Sequence, residues 1–419
     1  MDYKSIGAGL ARRRRSLDMT QEQFAEQLGV TVQAISKWEN GHGLPEATKL
    51  PVLADKFDCS IDELFLRKGK KEYFALSDEE IIEHFIRFDP SAQGAVIERG
   101  KFGKPGRIST QPLSIHTERG VDYRLKLQQY PKDHREYLAY SLLKGNTSAI
   151  AHIFYIDEQK NILLSEDLSG YINGHCFNDD TEDGITYKLN SYELVEGVAK
   201  LHAGLWENND AFMRTGLDWR LENNETLLAH IKGMEKDYLK FLKSAEEGKL
   251  PKIGIGKLDF TPAHMNCFGE AVEKLRSDYP SFIQQRIHCG KSITIIHGDM
   301  HPGTTYLPRE KVTDSNPVKF ASFGALRVGY GAEDLAMLLA LHIAPSSSQA
   351  KCLLAKYHKA LLSEKISGYT YEMLLEDYKF AVMEALFFPV HLINRGIYDY
   401  NMLHRALKAY EDFVRAEDC

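Results

Sequence analysis

Apolar positions near the amino terminus recur at helical spacing, in short runs bounded by capping residues. Ile6, Leu10 and Leu17 space one apolar face, flanked by the basic run Arg12 to Arg15 as a solvated face. Thr20 with Gln23 makes a capping box. The following helix, Gln21 to Gln27, turns Phe24, Ala25 and Leu28 inward, and Gly29 ends it in a tight turn. Thr31 caps Val32 to Glu39, with Ile35 and Trp38 facing the core, until Asn40-Gly41 stops it. Pro45 opens a helix running through Phe57, and Ser60 caps a last turn holding Leu64 and Phe65. Five short helices are therefore predicted for the first 66 residues or so.

The pattern then changes. Arg67 to Lys71 reads as a basic linker, and Ser77-Asp78-Glu79-Glu80 starts a helix bearing Ile81, Ile82, Phe85 and Phe88. From Gly94 the alternation becomes strand-like. Glycines 100, 103 and 106 lie in a loop suited either to phosphate or to a plain hairpin. Strands follow at Leu113 to Glu118 and Asp122 to Gln128, then a helix near Glu136 and strands at Ala149 to Asp157 and Asn161 to Leu164. Long helical patterns fill the rest, interrupted by an apolar β-branched run, Ile293 to Ile296, and a short strand, Val318 to Ala321. The predicted fold class is multidomain: an all-α head followed by an α+β bilobal domain.

Composition refines this without redirecting it. At 419 residues the chain exceeds one ordinary core, so two or three domains are expected. Its 43% hydrophobic and 26% charged content is globular, and no apolar run is long enough for a membrane span. Six scattered cysteines without a C-x-x-C pair signal neither zinc nor a disulfide framework, and a reducing cytoplasm is the expected location. The net charge of −7 argues against a protein that coats nucleic acid throughout. The first 70 residues carry only about +1.

The run T-Q-E-Q-F-A-E-Q-L-G-V-T-V-Q-A-I-S-K-W-E-N-G resembles the lambda-repressor-like (Cro-type) helix-turn-helix family. The resemblance implies that the third helix enters the major groove of double-stranded DNA, with Thr31, Gln33, Ala34, Ser36 and Lys37 facing bases or phosphates. Gln33 suits an adenine edge, and Lys37 a guanine or a phosphate. Gln21, at a helix amino terminus, is expected to hold a backbone phosphate. A homodimer on a two-fold site is expected.

Farther on, H-G-D-M-H-P-G followed by a strand ending V-K-F-A-S-F-G resembles the catalytic segment of the aminoglycoside phosphotransferase and choline kinase family, relatives of protein kinases. The resemblance implies Asp299 as the base, Lys126 paired with Glu136 to hold the phosphates of ATP or GTP, and a hinge at Ser165 to Leu168. It also implies that Asp334 anchors the loop through Arg327, and that His202 and His301 are structural. Two positions depart from the pattern. Thr304 stands where the family has Asn, and Ser322 where it has Asp, so both metal positions hold neutral hydroxyls. Magnesium prefers hard, anionic oxygens, and the substitutions argue against a held Mg²⁺. The expected divisions are a helix-turn-helix domain (1–70), a linker and connecting helix (71–92), a kinase-like small lobe (93–168) and a helical large lobe (169–419). Three readings stay open. One is a transcription regulator whose kinase-like domain, a pseudokinase, senses a small molecule or nucleotide. Another is an active small-molecule phosphotransferase carrying a DNA-binding head. The last is a repressor whose second half only dimerises.

Overall fold

In the computed structural model, residues 3–17, 19–57, 76–101, 108–131, 134–174, 191–215, 217, 224–308, 318–344 and 346–416 are described below. The expected last head helix with Ser60, the basic tract at 67–71, the boundary at residue 70, and Gly103 and Gly106 lie outside them. The chain forms two compact units, Met1–Phe74 and Ala75–Cys419.

The first unit contains α1 (Tyr3–Ser16), α2 (Gln21–Leu28), α3 (Val32–Glu39) and α4 (Leu50–Lys56). Both expected caps form. Thr20 and Gln23 make a reciprocal capping box, and Thr31 accepts the Ala34 N–H. Gly29 sits at φ 61° as the left-handed stop, and Lys49 donates to the Leu28 carbonyl left over at that helix end. Ile6, Leu10, Phe24, Leu28, Ile35, Trp38 and Leu53 pack into one core. Gly7 lets α1 approach α3 closely, because a Cβ there would meet the Trp38 carbonyl at 2.4 Å. Three expectations are corrected. Leu17 lies beyond the end of α1 and is exposed, so it does not extend the apolar face. Pro45 is buried but opens no helix; a 3-10 turn at Ala47–Lys49 leads into α4, whose first turn holds Pro51. Arg14 is not part of a solvated face but is buried.

The second unit opens with α5 (Asp78–Ile86), capped by Ser77 and Glu80 as expected. Strands β1 (Val96–Arg99), β2 (Ser109–His116), β3 (Asp122–Gln129), β4 (Ile153–Asp157) and β5 (Ile162–Glu166) form one antiparallel sheet in the order β1-β2-β3-β5-β4. Helix α6 (Arg135–Leu143) connects β3 to β4. Alternation along β3 sends Leu125 and Leu127 into a core with Ile81 and Phe85 of α5, so Lys126 projects from the opposite face. Phe88 falls past the end of α5 and is half exposed rather than on the buried stripe. A short strand, β6 (Tyr171–Asn173), leaves the sheet.

The rest is mainly helical: α7 (Ser191–Ala203), α8 (Asn209–Thr215), α9 (Asn224–Glu246), a small hairpin of β7 (Ile253–Gly254) and β8 (Gly256–Lys257), α10 (Pro262–Ser277) and α11 (Tyr279–Cys289). Then β9 (Thr294–Ile296) pairs with β12 (Arg327–Gly329), while β10 (Thr305–Pro308) pairs with both β6 and β11 (Lys319–Phe320). Helices α12 (Ala332–Leu338), α13 (Ser347–Ser363), α14 (Tyr371–Ala385), α15 (Phe388–Asn394) and α16 (Tyr400–Tyr410) complete it. Tyr238 and Phe241 are core residues. The architecture is thus an all-α head followed by an α+β unit with a five-stranded antiparallel sheet and a mainly helical remainder. No helix among the described residues is long and apolar enough to cross a membrane.

Candidate functional site

The head presents one face for contact. Along α3, the helical period buries Ile35 and Trp38, leaving Gln33 and Lys37 exposed with Thr31 just ahead of them. Ala34 and Ser36 are half-buried at the margins of that face. What fixes α3 is an ion pair absent from the sequence reading. The Arg14 guanidinium on α1 grips Glu39 at the end of α3 with Nε–Oε1 at 2.6 Å and Nη2–Oε2 at 3.0 Å. Gln21 Nε2 donates to the same carboxylate at 2.7 Å. One donor of Gln21 is therefore committed within the domain rather than held free for a phosphate, which corrects part of its expected role. Burial pushes the Glu39 carboxyl up, yet the hydrogen bonds from Arg14 and Gln21 and the charge of Arg14 hold it below the usual glutamate value.

In the second unit, β9 delivers His297-Gly298-Asp299 into a turn with Gly298 at φ 80°. Asp334, at the start of α12 and fully buried, holds this turn from behind. Its carboxylate accepts the backbone N–H of His297 at 2.6 Å and that of Gly298 at 2.8 Å, and meets His202 Nε2 at 3.1 Å. His202 Nδ1 in turn meets the Tyr357 hydroxyl at 2.8 Å, so His202 is structural, as expected. Burial pushes the Asp334 carboxyl up, but the bond from His202, the two imidazoles and the Gly298 N–H together keep it below the ordinary aspartate value. Arg327 does not reach Asp334 as expected; it pairs with Glu333. His301 accepts the Gly303 N–H and caps the next turn.

The Ala321 N–H donates to the Thr304 carbonyl at 3.1 Å, which sets Ser322 beside the Thr304 loop. Asp299 is half-buried, and among the described residues its carboxylate has no hydrogen bond or ion pair. Thr304 is buried, and its hydroxyl donates to the His301 carbonyl at 2.9 Å, closing its own loop. Ser322 is exposed, in the left-handed region at φ 73° and ψ 46°. Phe323 beside it packs edge-on against Tyr140 of α6 and against the His297 ring. Lys126 is half-buried on β3. Desolvation pulls its ammonium below the usual lysine value, against the attraction of Glu136, Asp167 and Glu166. No ion pair joins Lys126 to Glu136 among the described residues. At the expected hinge, Glu166 accepts from the His152 N–H and the Tyr171 hydroxyl, while Asp167 caps the next turn.

The left-handed backbone at Ser322 yields a direct test. A serine there costs roughly 1 kcal/mol against glycine, and its side chain makes no cap. Ser322→Gly is expected to raise stability by about 0.5–1 kcal/mol, read as a higher urea midpoint at unchanged slope.

A cavity of ≈ 570 Å³ adjoins the turn, reaching Gly298 and Arg327 on one side and α9, α14 and α15 on the other. Phe387 and Phe388 line it. The sequence marks Phe387-Phe388-Pro389 only as a kink within a helix running roughly from Tyr371 to Asn394; the chain instead breaks there into α14 and α15, and both phenylalanines border the cavity.

Residues 10–64 match the helix-turn-helix family model HTH_3. Over 55 residues the chain is 40% identical to the cryptic phage transcriptional repressor RstR of Vibrio cholerae, covering 13% of this chain and 49% of that one. Over 73 residues it is 42% identical to the HTH-type transcriptional activator BcrR of Enterococcus faecalis, covering 17% of this chain and 30% of that one. The chain thus spans about half the length of the first relative and under a third of the second. Among solved structures, a Plasmodium vivax ethanolamine kinase superposes with a TM-score of 0.38 at 11% identity, over 88% of this chain and 94% of that one. So low a score adds no weight, and the second unit is described by its own strand order and turn geometry. The first unit, with its two capped helices joined at Gly29 and its matching relatives, is a Cro-type helix-turn-helix domain.

Proposed function

We propose that this chain is a sequence-specific DNA-binding transcription regulator. It acts as a homodimer, and its kinase-like unit senses a small molecule or nucleotide rather than transferring phosphate. The observation that carries this reading is a contrast between the two units. The face of α3 is open and braced by Arg14–Glu39, whereas both metal positions hold neutral hydroxyls. The Thr304 hydroxyl is spent inside its own loop, and Ser322 offers a neutral oxygen. With Asp299 as the one carboxylate of the motif, this donor set does not fit Mg²⁺, which wants several hard oxygens in octahedral order. Lys126 retains a desolvated ammonium that suits a phosphate oxygen without a metal.

The test is selection of duplexes from a random-sequence pool by the full chain, followed by mobility shift at low salt. Enrichment of a two-fold sequence is expected. Gln33→Ala is expected to weaken the selected site roughly tenfold and to relax preference at one base step per half-site. Lys37→Ala is expected to weaken all duplexes alike and to flatten the salt dependence. Failure to retard any duplex ends the regulator reading. The second reading, an active phosphotransferase, draws on the uncommitted Asp299 carboxylate. Calorimetry with ATP separates the two: weak binding indifferent to Mg²⁺ supports sensing, while tight binding that needs Mg²⁺ supports the enzyme.

A further inference from the structure

We infer that the cavity beside the His297 turn is the ligand site of the second unit, and that it takes an uncharged apolar molecule bearing an oxygen acceptor. This deepens the sensing reading above and rests on it. The volume, ≈ 570 Å³, lies within the range of small-molecule sites. Met234, Met337, Phe387 and Phe388 make its walls apolar and adaptable. Three carboxylates also line it, but each already faces a base. Glu384 meets His230 at 3.3 Å, Asp237 meets His391 at 2.7 Å, and Glu333 holds Arg327. The acceptors of the cavity are therefore engaged, and a polycation gains little there. The donor side is different. Arg327 is 6% exposed, and among the described residues its Nη1 has no hydrogen-bond partner although Nη2 is bound to Glu333. That atom lies beside Gly298, where a Cβ would meet it at 2.3 Å, and both residues line the cavity. A buried guanidinium N–H left unpaired is costly, and a ligand carbonyl meeting it removes that cost.

The position of Gly233 allows a clean block. It lines the cavity from α9, its φ is not positive, and a Cβ there meets nothing within 4 Å. Gly233→Phe thus puts a ring at the mouth while improving helix propensity.

Equilibrium dialysis of the full chain with three matched probes tests the inference: benzophenone, diphenylmethane and protonated benzhydrylamine. The ketone is expected to bind at least tenfold tighter than either of the others. Gly233→Phe is expected to weaken the ketone at least tenfold without lowering the melting temperature. Arg327→Lys, which keeps a cation for Glu333 but removes Nη1, is expected to bring the ketone down to the level of the hydrocarbon. Equal binding of ketone and hydrocarbon, tightest binding of the amine, no binding of any probe, or indifference to Gly233→Phe each overturns the inference. These outcomes are independent of DNA retardation, so a failure here is distinct from failure of the regulator reading.

Discussion

Asp334→Ala is expected to lower the stability of the second unit by about 3–5 kcal/mol, the cost of stripping one partner from a buried charged network. Three donors lose their acceptor together: the backbone N–H groups of His297 and Gly298 and the ring of His202. His297, His202 and Asp334 are all fully buried, and Gly298 is half-buried. For a unit of this size the loss corresponds to a fall of roughly 5 °C in melting temperature. Asp334→Asn is expected to do little better, because its amide presents donors where donors already converge. The pH dependence has a definite sign. The folded carboxyl is held below its unfolded value, so its contribution is full above pH ~4 and is lost as pH falls through the lower folded value. The wild-type unit therefore weakens in acid through this group, and the Asn variant is expected to lack that part of the acid slope. Thermal unfolding scans from pH 3 to 7 measure both effects.

Arg14→Ala carries the other large effect. The side chains of Arg14 and Glu39 are 9% and 6% exposed, and removing the cation leaves a nearly buried carboxylate hydrogen-bonded by Gln21, with the more distant charge of Arg15. A loss of about 3 kcal/mol is expected. So small a domain has a total stability of only several kcal/mol, so the head is then close to unfolding. Hydrogen exchange of the α1 to α3 amides in the full chain reads this directly, and mobility shift should fall with it. Arg14→Met combined with Glu39→Gln is expected to recover most of the loss, since no uncompensated charge remains. Equal damage from the single and double variants would show that packing of the Arg14 stem, not the charge pair, braces α3.

Local signals made much of this legible in the sequence. Capping residues such as Thr20, Thr31 and Ser77 act within four residues, so the helices they start were readable from the chain alone. The alternation of β3 likewise placed Lys126 on a different face from Leu125 and Leu127. What escaped depends on residues far apart. Arg14 and Glu39 are 25 positions apart, and a row of four arginines looks like one solvated face until α3 is laid across it. The partner of Asp334 was misassigned because Arg327 lies near it in sequence, while the true contacts come from His202 and the turn at His297. The left-handed backbone at Ser322 has no sequence signal, because serine is not the residue that such a conformation selects.

The support behind the His297 turn separates shape from chemistry. Asp334, His202 and Tyr357 hold the loop through its backbone, and none of the three lines the cavity beside it. Residues on the near side are thereby released from any architectural duty, and they can be exchanged without moving the platform. A protein built this way can forfeit one activity and acquire another through a few outward-facing substitutions, with its scaffold handed on unaltered.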